Sequence, residues 1–166
     1  MKKSLNSNHL MTSFKIHDHS ICSDRYKASI KKYCYQNNLE LTPLRHKVIE
    51  ILIRDHKPLA AYEILDALSK EGFSSSPPIA YRVLDFLIEK GLVHKIQGLN
   101  SFIACAYAGC VHIPAFVICR KCENVAEIRG EENIPKASSS SLGFKIENAM
   151  IEISGVCSMC SDAGVA

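Results

Sequence analysis

Two Cys-x-x-Cys pairs, Cys119/Cys122 and Cys157/Cys160, constrain this chain more than any other feature. A C-x-x-C spacing lets a tight knuckle aim both sulfurs at one ion. Two such pairs complete the tetrahedral four-thiolate shell of a closed structural zinc site. The 34 residues between Cys122 and Cys157 exceed the interval in short zinc ribbons, so a whole supersecondary unit must fit between the knuckles. One closed site uses four of the eight cysteines. The others, with two histidines and a glutamate, raise the question of a second metal.

Clustered thiols serve metals where the compartment keeps them reduced. Lys2 and Lys3 are followed by Asn6, Asn8, His9, Thr12 and Ser13 and not by an apolar run, which argues against a signal peptide. No stretch approaches the roughly 20 apolar residues of a membrane helix. The expected location is therefore the cytoplasm, with no membrane partner. Met11 is an alternative start to Met1.

The 166 residues suffice for one domain or two small ones, and nearly half are apolar. Charge divides unevenly. Residues 1–105 hold 15 Lys and Arg against 10 Asp and Glu, a net +5; residues 106–166 hold 5 against 7, a net −2. A basic first half suits an anionic partner such as nucleic acid, and equally suits an ordinary solvated surface.

Residues 1–22 lack helical periodicity and read as a loose extension. From Asp24 to about Asn37, Tyr26, Ile30, Tyr33 and Cys34 recur at helical spacing. Thr42-Pro43 is a helix start, an N-cap followed by proline at the first helical position. Leu44, Val48, Ile51 and Leu52 form its face, and Pro58 is expected to end the element. Tyr62, Leu65, Ala67 and Leu68 mark a third helix closed by Gly72. Residues 74–78 open a fourth, whose buried stripe is Ala80, Val83, Leu84, Leu87 and Ile88, with Gly91 as its stop. Leu92–Gln97 and Ser101–Cys105 then read as a hairpin joined through Gly98-Leu99-Asn100. Helices followed by a two-stranded hairpin is the order of a winged helix-turn-helix domain. Beyond a boundary near Ala106–Gly109, Ala115–Ile118 and Asn124–Ile128 read as paired strands, Glu131–Leu142 as a helix, and Phe144–Ile153 as a strand whose apolar phase changes midway.

If Ala80, Val83 and Leu84 face the core, Tyr81, Arg82 and Asp85 face outward from the first turns of the fourth helix. A recognition helix presents that surface to the major groove. Arginine bonds a guanine edge bidentately, and tyrosine reaches a phosphate or a thymine methyl. Arg45 and Lys95 are weaker phosphate candidates. The same residues would also serve as the plain solvated coat of a helical domain.

His94, Cys105, His112 and Glu127 are the remaining borderline ligands around the junction. One sulfur, two nitrogen and one oxygen donor would suit zinc; a ferrous site takes nitrogen and oxygen more often. Their spacing alone does not separate a four-ligand site from ordinary surface residues. A catalytic zinc keeps one position open, whereas this set would fill all four. A Cys/His nucleophile at Cys105 or Cys110 lacks a surrounding nucleophile turn, and a redox dithiol lacks the thioredoxin-like strand–helix context. Cys22, Cys34 and Cys110 read as packing or incidental thiols, with Cys110 able to stand in for a neighbouring ligand.

Taken together, these segments resemble the ferric uptake regulator family of metal-responsive repressors, most closely its zinc uptake regulator branch. The similarity spans roughly residues 24–160. It is carried by L-T-P-L-R at 41–45, P-P-I-A-Y-R-V-L-D-F-L at 77–87, G-L-V-H-K at 91–95, N-S-F-I-A-C at 100–105, C-R-K-C at 119–122 and C-S-M-C at 157–160.

The resemblance implies an α+β chain: a winged-helix DNA-binding domain at 23–105 and a small α/β dimerisation domain at 106–166. It implies two zinc ions per chain, a structural one at Cys119, Cys122, Cys157 and Cys160, and a regulatory one at His94, Cys105, His112 and Glu127. The histidine-rich stretch of the iron- and peroxide-sensing relatives is absent between Cys105 and His112. Where the family usually has Thr-Val-Tyr-Arg, this chain has Ile79-Ala80-Tyr81-Arg82; a hydroxyl is lost and the Tyr/Arg pair is kept. The expectation is a homodimeric, zinc-activated repressor on a palindromic DNA operator, without enzymatic activity. The alternatives are a repressor of this family answering to iron, manganese or peroxide, and a zinc-dependent or thiol redox enzyme.

Overall fold

The structure is a computed structural model that describes residues 14, 19–55, 57–73, 76–129 and 143–161. It divides into two compact units, one within Asp18–Cys110 and one within Val111–Ala166. No helix among the described residues is long and apolar enough to cross a membrane.

The first unit contains α1 (His19–Gln36), α2 (Pro43–Leu52), α3 (Ala61–Lys70), α4 (Pro77–Glu89), β1 (Val93–Ile96) and β2 (Ser101–Ala104). Thr42 starts α2 as its sequence requires: the residue is extended and its hydroxyl accepts from the Arg45 amide at 3.4 Å. Val48, Ile49, Ile51 and Leu52 are the buried face of α2. The helix stops at Leu52, well before the expected terminator Pro58. Pro58 instead leads into an extended residue, Leu59, which exchanges both backbone hydrogen bonds with Phe102 of the hairpin (2.9 and 2.8 Å). The chain leaves the helix early because that bridge needs extended backbone.

In α3 the buried stripe is Ile64 and Leu68, four residues apart. Tyr62, one of the residues that marked this helix, is 72% exposed; two residues from Ile64 it lies about 200° round the helix. Glu63 caps this helix by accepting from the Ala60 amide at 2.7 Å. The left-handed Gly72 (φ 77°) closes it, with the Phe73 amide bonded back to the Leu68 carbonyl at 3.0 Å.

Helix α4 buries Ala80, Val83, Leu84 and Leu87. Ile88, expected in that stripe, lies at its edge and is exposed. Beyond Gly91, β1 and β2 pair antiparallel from Val93↔Ala104 to Ile96↔Ser101. The Cys105 amide extends that ladder to the Leu92 carbonyl at 2.9 Å. Helices α1 to α4 and the hairpin share one core around Ile51, Leu52, Ile64, Leu68, Leu84, Leu87, Leu92 and Val93. This is a winged helix-turn-helix arrangement, helices with a hairpin behind the fourth.

The units divide between Cys110 and Val111, just past the boundary near Ala106–Gly109 read from the residues and five residues past the 105/106 limit that the resemblance implied. The intervening turn belongs with the first unit: Ala108 packs against its core, and Gly109 (φ 82°) lies against the Tyr33 ring of α1.

The second unit contains β3 (Pro114–Cys119), β4 (Val125–Arg129), β5 (Ile151–Gly155) and the short α5 (Ser158–Ser161). The sheet order is β4-β3-β5. Strand β3 pairs antiparallel with β4, Phe116 opposite Glu127, and parallel with β5, Ala115 opposite Ile151. Phe116 at the centre is fully buried, with Ala115, Ile118, Val125 and Ala126 around it. The strand expected over Phe144–Ile153 forms only from Ile151. In the parallel register the residue before Ile151 falls opposite Pro114, which has no N–H to extend the ladder. Phe144 is left exposed. The helix expected over Glu131–Leu142 lies outside the described residues.

Candidate metal centres and nucleic-acid surface

The first cysteine pair sits where β3 runs out into its turn, Cys119 being the last residue of the strand and Cys122 three further on. The second flanks the start of α5, Cys157 just before it and Cys160 within it. Parallel pairing of β3 with β5 delivers both to the same end of the sheet, Cys119 standing opposite Gly155. The Arg120 amide carries the ladder one step further, to the Gly155 carbonyl at 2.9 Å.

All four sulfurs lie within 4.8 Å of one another. Cys122 Sγ and Cys157 Sγ are 3.9 Å apart. A tetrahedral zinc with ~2.3 Å bonds to sulfur sets its ligands roughly 3.8 Å apart, so this donor set fits zinc in size and chemistry. The surroundings favour thiolate at one position: the Cys157 amide donates to Cys119 Sγ at 3.3 Å and, with further backbone donors, pulls that thiol down to about 6. Cys160 goes the other way, pushed up to about 12 first by its hydrogen bond with Cys157 and then by burial. Four thiols in one cluster cannot all ionise without a cation to share.

Lys121, inside the first knuckle, donates to the Cys160 carbonyl in the second at 3.1 Å. The sequence reading passed over this cross-brace; its only signal is a basic residue between two cysteines.

The other expected ligands are built by ordinary strand geometry within each unit. In the first, His94 lies on β1, its Nε2 shielded from solvent, and the buried Cys105 follows β2. In the second, Glu127 is the third residue of β4 and His112 precedes β3. His112 Nε2 and Glu127 Oε1 are 2.8 Å apart, with 9% and 1% of the two side chains exposed. A carboxylate so buried requires such a polar partner. An imidazole bonded to it is held in one orientation.

On α4 the stripe turns Tyr81, Arg82 and Asp85 outward; Tyr81 is half exposed. Arg82 Nε donates to the Pro78 carbonyl one turn back at 3.4 Å. Arg45 lies with its guanidinium carbon 3.3 Å from the centroid of the Phe86 ring. Lys95 on β1 approaches the Phe102 ring at 5.9 Å. Phe86, like Lys121, escaped the sequence reading. Its signal was an aromatic residue on α4 beside the stripe and not within it.

A model of the ferric uptake regulator family matches residues 36–154. The chain is 35% identical over 136 residues to the zinc uptake regulation protein of Escherichia coli (strain K12), covering 80% of each. A solved structure of a zinc uptake regulator complexed with zinc and DNA superposes with a TM-score of 0.78 at 32% identity, covering 87% of this chain and 98% of that one. The holo form of XcZur gives 0.74 at 31% identity, covering 84% and 99%. The chain belongs to the ferric uptake regulator family.

Proposed function

We propose that this chain is a zinc-responsive, DNA-binding transcriptional repressor of zinc-uptake genes, with zinc as its corepressor. The observation that carries the reading is the division of the second donor set: His94 and Cys105 belong to the first unit, His112 and Glu127 to the second. The names of the similar proteins, a zinc uptake regulation protein and a zinc uptake regulator bound to zinc and DNA, support it.

Two ions per chain follow from this reading. Cys119, Cys122, Cys157 and Cys160 hold a structural zinc and keep the second unit folded. His94, Cys105, His112 and Glu127 hold the regulatory one. Zinc bound there supplies the link between the units. The donors on either side then restrain the first unit, and with it the separation of the two α4 helices in a homodimer. A two-fold dimer reads a palindromic operator of two half-sites. Tyr81 and Arg82 face base edges and the adjacent backbone, while Arg45 and Lys95 neutralise phosphates. Because linkage is reciprocal, operator binding tightens the hold of the four ligands on zinc by the factor that zinc tightens operator binding. A switch from 1:99 to 99:1 needs about 5.5 kcal/mol of differential affinity, which four filled ligand positions are able to supply.

The test is Cys105→Ser. The variant is expected to fold, to keep the zinc of the four-cysteine site, and to lose the zinc dependence of DNA binding. A variant that retains the full zinc response in a titrated DNA-binding assay would overturn the assignment of the regulatory site.

A further inference from the structure

The cations on α2 to α4 are not equivalent. Lys47 is held by Glu50 and Glu71, and Lys70 by Asp66. Among the described residues, Arg45 and Arg82 are the cations on these helices with no carboxylate partner. Arg82 belongs to the reading face already described. Arg45 is half-buried, and its guanidinium is fixed by a ring contributed by another helix, Phe86 of α4.

We propose that Phe86 is a positioning residue for DNA binding: stacking on its ring holds Arg45 flat and presents the N–H edge to a backbone phosphate. The proposal rests on the DNA-binding reading above and deepens it. Several features of the geometry carry it. At 3.3 Å to the ring centroid, the contact is well inside the ~6 Å range of cation–π attraction. A planar guanidinium stacked by its face keeps its edge donors for an acceptor, so the ring and an anion do not compete for it.

The backbone of Arg45 is fixed as well. It is the third residue of α2, and its amide is the donor that Thr42 caps. An anion at this place also meets the positive end of the α2 dipole. The side chain is thus restrained at both ends, so little rotamer entropy remains to be lost on binding. Phe86 follows Asp85 and lies four residues after Arg82, so the phosphate contact made from α2 is mechanically tied to the helix that reads the groove. Lys90, 5.7 Å from the same ring, is already paired with Glu89 at 2.7 Å and is not a second clamp.

The experiment uses the zinc-loaded full-length protein and a duplex that it selects from a random-sequence library. If no duplex is recovered, the DNA-binding reading itself fails and this inference with it. On the selected duplex, affinity is measured against salt for wild type, Arg45→Gln, Phe86→Leu and the double variant.

Arg45→Gln is expected to weaken binding about tenfold or more, as for a lost charge-assisted hydrogen bond, and to flatten the log–log salt slope by about 0.9 per half-site. Phe86→Leu keeps every charge yet is expected to lose a similar factor and the same slope. The double variant should fall less than about twofold below either single one. Independent, multiplying losses, or a wild-type salt slope in Phe86→Leu, overturn the proposal. Arg45→Lys does not depend on the core tolerating a new residue. It keeps the charge without the plane, and is expected to bind like Arg45→Gln. Wild-type affinity for Arg45→Lys would equally overturn it.

Discussion

Loss of one knuckle thiolate should unfold the second unit and spare the first. Take Cys157→Ser. Cys157 both completes the four-sulfur cluster and donates its amide to Cys119 Sγ at 3.3 Å. The described core of this unit holds three large buried apolar side chains, Phe116, Ile118 and Val125. Each contributes about 1.5–3 kcal/mol. A structural zinc contributes about 10–16 kcal/mol at neutral pH, so the metal outweighs those three together. Shared equally by four thiolates, that is roughly 2.5–4 kcal/mol each, a large share of the ~5–15 kcal/mol that stabilises a typical domain. The first unit has its own core around Leu52, Leu68, Leu84 and Leu87 and no share in the knuckles. Hydrogen exchange read by mass spectrometry separates the two. In Cys157→Ser, amides of β3, β4 and β5 should lose protection while those of α2, α3 and α4 keep theirs. Native-like protection in β3 of the variant would refute the claim that zinc, and not apolar burial, holds this unit together.

Two further outcomes follow from local geometry. Gly109→Ala places a Cβ 2.9 Å from Tyr33 Cδ2 at a φ of 82°. It should cost about 1–2 kcal/mol and lower the first unit's midpoint by roughly 5–10 °C in a thermal melt; an unchanged midpoint contradicts the turn's docking on α1. The second concerns Glu50 and Glu71. Their carboxyls are held below the ordinary value of 4.5, Glu50 first by its hydrogen bond from Lys47, Glu71 first by that from Arg54 and then Lys47. Folded, they bind fewer protons than the unfolded chain, so the stability they contribute is present above pH 4.5 and lost as pH falls through the lowered values. Glu71→Gln should flatten the fall of the urea midpoint below that pH, and an identical slope would dismiss the network as a contributor.

The chain's legibility varied with the range of the interactions. Thr42-Pro43 announced α2 because a cap and a first-turn proline act within four residues. Ala80, Val83, Leu84 and Leu87 were legible because one stripe decided their side of α4. In α3 the sequence marked the helix but not its buried side, because two phases overlap there and burial of Ile64 and Leu68 decides between them. The early end of α2 was hidden because its cause, the Leu59–Phe102 bridge, joins residues far apart in sequence. The truncated β5 has the same character: its start is set by Pro114 on the partner strand. In the candidate metal sites, C-x-x-C spacing is local and pointed to the four sulfurs that the fold brings together. By contrast His94, Cys105, His112 and Glu127 carry no spacing rule: their donor types drew attention to them, and only the family resemblance joined them into one regulatory site. Phe86 became visible once Arg45 was seen lying on it.

The measurement closest to the central claim is DNA affinity against zinc bound, with ions counted per chain. The first equivalent should fill the four cysteines and leave affinity for a selected duplex low. Affinity should then rise by about a hundredfold or more as the second equivalent loads. Equal affinity at one and at two ions per chain would contradict a regulatory role for His94, Cys105, His112 and Glu127.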